Sequence, residues 1–316
     1  MIQFEQDGVY NLDEIAGSVN LAYPWRNGPS KFEFEILAEK LPFKIQKGAY
    51  LTFNYQNSNM FAGRVFTTKI TEKKTVLVTA FDQLRYMKAK DTVMRKDCTL
   101  TQFIELCSAN LQLRINGLSD TVIQLDDYLF DNQTYLDMIY KSIKENLLLN
   151  TYMYCIYDDF GAICLKDIYD MRLPLVIGDS SLAYQFSYEE SIDKDTFNQI
   201  KLAYDNKKSG KREIYLVLDS SSIQKYGMLQ YFEKVNSGTA GQIIDKANAM
   251  IKLKNRETNT LSINALGDPR VRGGSGIKVE LAEAGLNCWA IVNKVTHKIE
   301  NGIHTMSLEL IIDGGI

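Results

Sequence analysis

Histidine and tryptophan each occur only twice in 316 residues, and the five cysteines, Cys98, Cys107, Cys155, Cys164 and Cys288, form no C-x-x-C pair. Histidine is the commonest general base, so its scarcity leaves enzyme chemistry few parts. An odd cysteine count without paired spacing supports neither a zinc site nor a disulfide framework, and most of the five are expected as reduced core residues. No apolar run approaches the roughly 20 residues of a membrane-spanning helix. The opening Met1-Ile2-Gln3-Phe4-Glu5-Gln6-Asp7 is acidic where a secretory signal needs a basic stretch. These absences predict a chain made and assembled in the cytoplasm, with no membrane insertion. An excess of one charge is also missing: 36 Lys and Arg stand against 39 Asp and Glu, a formal charge of -3. That leaves no net pull toward phosphate backbones, so no nucleic-acid binding is expected.

What the chain does have is apolar and aromatic material: 45% hydrophobic residues, with 18 Tyr and 14 Phe. This suffices for real cores, and the length suggests two or three domains. From about Ile15 to Asp82, short alternating runs such as Phe32-Glu33-Phe34-Glu35-Ile36 and Thr75-Val76-Leu77-Val78 predict antiparallel strands. Tyr23 to Pro29 separates two of them, and Glu72-Lys73-Lys74 reads as a hairpin tip. After Asp82 the period changes to three and four: Leu100, Phe103, Ile104 and Cys107, then Leu136, Ile139, Tyr140, Ile143 and Leu147. Two amphipathic helices follow, capped by Thr99 or Asp97 and by Asn132 or Asp131. Strand signals return at Gln199 to Tyr204 and Glu213 to Leu218, then a helix at 239–255 and strands from Leu261, an order that one helix packed on a barrel explains. The predicted fold class is α+β, mainly β. It comprises a first antiparallel β-barrel over 1–93, a mixed α/β insert over 94–170, and a second β-barrel over 171–316 that includes the helix.

Two hairpins are legible in more detail. Asn301-Gly302 is a strong type I′ signal. It pairs Glu300 with Ile303 and so aligns Ile299, His297, Val295 and Ile291 with His304, Met306, Leu308 and Ile312 on a mainly apolar face. Lys294 then meets Glu309 on the other face. For the second hairpin, a turn at Asp158-Asp159-Phe160-Gly161 with Tyr157 opposite Ala162 places Tyr154 opposite Leu165, Ile156 opposite Ile163 and Cys155 opposite Cys164. The two thiols then lie close enough for a bridge that a reducing cytoplasm opposes. A weak repeat is visible as well. Gly48 to Phe81 and Gly276 to Leu310 share the order glycine, short strand, polar turn, long strand ending in Lys-Ile (Lys69-Ile70, Lys298-Ile299), polar tip and return strand.

Several short motifs, in their order along most of the chain, resemble the XkdQ-like family, the baseplate hub proteins of contractile phage tails and tail-like bacteriocin particles. They are Phe81-Asp82-Gln83-Leu84-Arg85-Tyr86-Met87, the helix Thr99 to Leu111, Asp158-Asp159-Phe160-Gly161, Ser222-Ile223-Gln224-Lys225-Tyr226-Gly227, Gly267-Asp268-Pro269-Arg270 leading to Gly276, and Val295 to Ile299 with His304 to Leu308. The resemblance implies two tail-tube-like barrels per chain. It also implies a homotrimer whose six barrels match a hexameric tail tube above and join a central spike below, among other baseplate components. Such a hub is not an enzyme and needs no cofactor. The rival readings are a tail-associated peptidoglycan hydrolase and a glycan- or receptor-binding tail module.

Each candidate chemical feature has a plainer reading. His297 and His304, diagonal neighbours on one face, begin a metal site that lacks a third ligand, and read more simply as histidines at a barrel rim. Asp126-Asp127 and Asp158-Asp159 suggest paired carboxylates, but adjacent strand residues point to opposite faces and the second pair sits in a turn. A cysteine nucleophile would need a histidine, and only Cys288 is near one in sequence. Gly273-Gly274-Ser275-Gly276 leads into a strand, not a helix, so it reads as a flexible connection and not a phosphate loop. Lys207-Lys208 and Lys211-Arg212 read as a solvated edge guard, or as a contact for an acidic partner. No catalytic, cofactor-binding or metal residue is assigned.

Overall fold

The computed structural model describes residues 1–12, 16–26, 28–41, 43–72, 74–179, 181–193, 195–206, 209–235 and 238–312. Ile15, Asn27 and Lys73, and the predicted basic tip at Lys207-Lys208, lie outside the described residues. The chain divides into two compact units, Met1–Ser187 with Leu261–Leu310, and Tyr188–Thr260 with Ile311–Ile316.

In chain order the first half contains β1 Ile2–Glu5, β2 Val9–Asn11, β3 Ala16–Pro24, β4 Lys31–Leu37, β5 Tyr50–Tyr55, β6 Ser58–Ile70, β7 Thr75–Phe81 and β8 Lys90–Arg95. There follow α1 Leu100–Asn110, β9 Ile115–Leu118, β10 Tyr128–Thr134, α2 Tyr135–Asn150, β11 Tyr154–Asp158, β12 Ile163–Asp167, β13 Arg172–Gly178 and β14 Ala183–Ser191. The rest is β15 Gln199–Asn206, β16 Lys211–Leu218, α3 Ser220–Tyr226, β17 Gln230–Val235, α4 Ala240–Lys254, β18 Thr258–Leu266, β19 Gly276–Leu281, β20 Leu286–Glu300 and β21 Ile303–Ile312. The mainly β class with helices is therefore as expected.

The pairing is not that of two separately closed barrels. One 13-stranded sheet runs β14-β18-β21-β20-β3-β4-β7-β6-β5-β1-β2, with β19 on β20 and β13 on β19, and its end strands are not paired to each other. The cause lies in β20, whose 15 residues outrun the six of β19. Leu286 to Ile291 pair with β19, and Lys294 to Ile299 pair with β3. A buried strand edge leaves no backbone donor unpaired, so the free half of β20 recruits the N-terminal strands. Pairing is also not wholly antiparallel, since β13–β19, β9–β12 and β15–β17 run parallel. Parallel ladders need crossovers, and the intervening helices and long loops supply them. Along β4, Phe32, Phe34 and Ile36 are buried while Lys31, Glu33 and Glu35 turn outward, the period-two alternation of a sheet with one covered face.

The repeat appears as two meanders, β5-β6-β7 and β19-β20-β21, each with a long middle strand, 13 residues in β6 and 15 in β20. They differ at the flank: β5 takes antiparallel β1 as its outer neighbour, and β19 takes parallel β13.

Between the halves, α1 and α2 bury Phe103, Ile104 and Cys107 against Leu136, Ile139 and Ile143 over the ladders β10–β8 and β11-β12-β9. Thr99 caps α1 in a full capping box with Gln102. The cap of α2 is Thr134, which accepts from the Asp137 N–H at 3.1 Å, and neither Asn132 nor Asp131 caps it. Asn132 has φ 49° at a ladder irregularity between Phe130 and Gln133, so β10 runs on for two residues past the predicted start. The hairpin that follows is shifted by two residues from the expected register. Phe160 and Gly161, at φ 52° and 92°, form a two-residue turn, so Asp158 pairs with Ile163, Tyr157 with Cys164, Ile156 with Leu165 and Cys155 with Lys166. The thiols are not opposite one another, and all five cysteines are free.

In the second unit, β15 lies between antiparallel β16 and parallel β17, and α4 packs on this three-stranded sheet. α4 again carries a capping box, Thr239 with Gln242, as the predicted helix start requires. Arg212, one end of the predicted basic tip, is paired with Asp205 at 2.7 Å.

Candidate functional site

β7 delivers Phe81 and Asp82 to the end of the sheet, where the Asp82 carboxylate accepts from the Leu84 N–H at 3.1 Å and starts the 3-10 turn Gln83–Lys88. Its other oxygen accepts from the Ser30 N–H at 2.8 Å. Gln83 donates to Asp158 Oδ2 at 3.2 Å and to the Gly161 carbonyl, and accepts from the Arg114 N–H at 3.0 Å. Asp158 closes the hairpin by accepting from the Gly161 N–H at 2.7 Å. From the opposite side comes Arg272, which donates to the Asp158 carbonyl at 2.8 Å and to Asp159 Oδ1 at 3.3 Å. Its guanidinium lies 4.2 Å from the Tyr157 ring centre and 5.3 Å from that of Tyr23. Tyr23 in turn donates to the Met60 carbonyl.

This junction brings together motifs nearly 200 residues apart: 81–87, 158–161 and the loop 267–276. The loop is no flexible connector. Val271 is fully buried, Ser275 is 2% exposed, and the Gly274 N–H donates to the Val292 carbonyl at 2.8 Å. At Gly273 a Cβ would fall 2.5 Å from the backbone of Pro24 and Trp25, so only glycine allows the loop this close to β3. A cleft of about 970 Å³ opens beside the junction, lined among others by Tyr50, Arg64, Asp82, Gln83, Tyr86 and Arg114.

Burial governs the electrostatics. Asp82 and Asp158, 2% and 4% exposed, are both raised above the usual carboxylate range by desolvation, and Asp82 is raised further by the charge of Asp158. Burial pushes the Cys155 thiol up to about 12, away from the thiolate that a nucleophile needs. Each oxygen of Asp82 and Asp158 accepts a hydrogen bond from within the chain, so both carboxyls serve to close the turn, the hairpin and the junction between them.

The other candidates resolve likewise. The Asp126 carbonyl accepts from Arg95 Nη2 at 2.7 Å and from Nε at 3.1 Å. Asp127 accepts from the Asp97 N–H at 3.0 Å. Arg95 is fully buried between Phe103 and Phe130, bonded to Ser142 at 2.7 Å and ion-paired with Glu145 at 2.7 Å. His297 and His304 meet each other at 3.0 Å, and no cluster of three metal-ligating side chains occurs among the described residues. The Ser222 to Gly227 motif forms most of α3, capped by Asp219 and ended at Gly227, in the second unit. Sequence reasoning missed Arg272 and Arg95. For Arg272 a signal exists, an arginine directly before two glycines, where bare backbone lets the side chain turn inward; Arg95 has none.

The long sheet joined through one strand, with an α/β insert between two β meanders, defines a phage tail protein fold. The solved 43 kDa tail protein of prophage MuSo2 from Shewanella oneidensis superposes on this chain with a TM-score of 0.74 at 11% identity, covering 98% of this chain and 97% of that one. Residues 19–311 match the YQBQ-like family model, and the chain belongs to that family. Among its relatives, the uncharacterised protein YqbQ of Bacillus subtilis strain 168 is 25% identical over 307 residues, 95% of this chain and 93% of that one. Protein XkdQ of the phage-like element PBSX in the same strain is 24% identical over the same shares.

Proposed function

We propose that the chain is the structural hub of the baseplate of a contractile phage tail or tail-like bacteriocin, a homotrimer that joins the hexameric tail tube to the central spike and contacts other baseplate components. The single observation that carries this reading is the end-to-end tail-protein fold, supported by XkdQ, a relative from a phage-like element that matches 95% of the chain. The twin meanders add a geometric argument. Two similar β surfaces per chain become six in a trimer, the number a six-fold tube presents. In this reading residues 1–93 and 171–316 supply the tube-like surfaces, and 94–170 form the insert between them. The hub acts by binding alone, without catalysis or cofactor, and is assembled in the host cytoplasm. No helix among the described residues is long and apolar enough to cross a membrane.

The test is imaging of assembled particles together with the mass of the purified chain. The expected result is a three-fold ring of this chain between tube and spike. A two-fold or single-copy position in the particle overturns the reading. So does zymography in which the purified chain digests peptidoglycan.

A further inference from the structure

His297 in β20 is 0% exposed and His304 in β21 is 8% exposed. His297 Nε2 lies 2.8 Å from the Val271 carbonyl oxygen, and its Nδ1 lies 3.0 Å from His304 Nε2. A carbonyl only accepts, so the proton of His297 resides on Nε2. Its Nδ1 is then bare and must accept, which assigns the proton of His304 to Nε2. His304 Nδ1 is left as a bare acceptor, and it is buried with no hydrogen-bond partner among the described residues. Such an atom is a place where a proton can be added without breaking a bond already made.

We propose that His304 Nδ1 is where the buried histidine pair takes its first proton, without loss of the junction between the terminal hairpin and the 267–276 loop, whose acid limit is set by the second. The first proton goes onto His304 Nδ1, and the His304 imidazolium still donates its Nε2–H to His297. A second proton must go onto His297 Nδ1, where it opposes the Nε2–H of His304. The two rings then part, and although His297 keeps its Nε2–H on the Val271 carbonyl, the displaced His304 ring disturbs the hairpin's hold on the loop. That hold is close. The Gly267 N–H donates to the His304 carbonyl at 2.9 Å, and a Cβ at Gly267 would fall 2.2 Å from the His304 ring, so the loop lies directly on the ring.

The surroundings favour one proton and resist two. From the loop, Asp268 faces the pair and favours the cation, although its charge is shared with Arg270 at 2.6 Å. Arg272 of the same loop opposes charge on His297. From β3 and β5 come Tyr23 and Tyr55, which meet His297 and His304 edge-on at 5.7 and 5.0 Å between ring centres. Burial lowers the pKa of both histidines, that of His297 to about 4. A histidine depressed in the folded state costs stability as pH falls below about 6.5, the unfolded value, and the loss levels off once the folded group titrates.

With only two histidines in the chain, a ¹³C,¹⁵N-histidine titration of the full-length protein by NMR is unambiguous. At pH 7.5 both rings are expected as Nε2–H tautomers. On acidification His304 should gain its Nδ1 proton first while His297 stays neutral, and the His304 midpoint should move to lower pH in Asp268→Asn. An Nδ1–H tautomer at His304, His297 titrating first, both rings titrating together as the chain unfolds, or a midpoint unmoved by Asp268→Asn each overturns the proposal.

Discussion

Asp82 and Asp158 show how burial turns an ordinary residue type into a pH-dependent one. Both are raised by desolvation, Asp82 to about 8, so the folded chain holds their protons more tightly than the unfolded chain does. Their contribution to stability is fully present below the ordinary carboxylate pKa and is lost as pH rises, through about 6 for Asp158 and about 8 for Asp82. Urea unfolding at a series of pH values should therefore show stability falling between pH 6 and 8. Asp82→Asn should flatten that slope, at a cost of about 1 kcal/mol in overall stability from one imperfect hydrogen bond. A variant with the wild-type slope would assign the pH dependence elsewhere. The sequence displayed Asp82 and Asp158 only as parts of short motifs. Nothing local marks them as facing the same interior, since that depends on Gln83 and Arg272 arriving from opposite directions.

At the scale of elements, helices were the most legible. Their three-and-four spacing and the Thr-x-x-Gln boxes at Thr99 and Thr239 are local signals, and local hydrogen bonds decide them. Hairpins were legible in proportion to their turns. Asn301 and Gly302 sit at φ 52° and 79° as a type I′ turn requires, and Lys294 meets Glu309 at 3.3 Å as that register demands. The turn expected over the four residues Asp158 to Gly161 takes only two, because Phe160 joins Gly161 at positive φ, and the slip of two carries every pair with it. Cys155 and Cys164 are accordingly displaced along the ladder, and their Sγ atoms approach the carbonyls of Gly273 and Asn116 respectively. Both should stay reduced. Alkylation in denaturant without reductant is expected to label them fully, and protection that disappears on reduction would show a bridge.

For the whole molecule the decisive element is β20, because β19, β3 and β21 all depend on it. Gly302→Val places a β-branched residue at φ 79°, a strain of about 1–2 kcal/mol that a slip of the turn relieves. A slip by one residue would turn the inward set of the slipped strand, Val295 and His297 in β20 or Met306 and Leu308 in β21, from the core to solvent. The variant is therefore expected to lose the pairing with β3 and to abolish particle assembly. Electron microscopy of particles from cells carrying it reads the outcome, and normal particles that contain the variant would remove β20 from this role.

Alternation, helical spacing, caps and the Asn301-Gly302 turn are short-range, and from them the sequence by itself determined the mainly β class, the places of the three principal helices, the twin meanders and the terminal register. The tertiary structure alone decided that β20 continues past β19 onto β3, that β13–β19, β9–β12 and β15–β17 run parallel, and that Arg272, Asp82 and Asp158 share one buried junction. These features depend on which strand edge is left unpaired and on which polar groups lose water together. Both are properties of the assembled chain, and neither is carried by any single stretch of it.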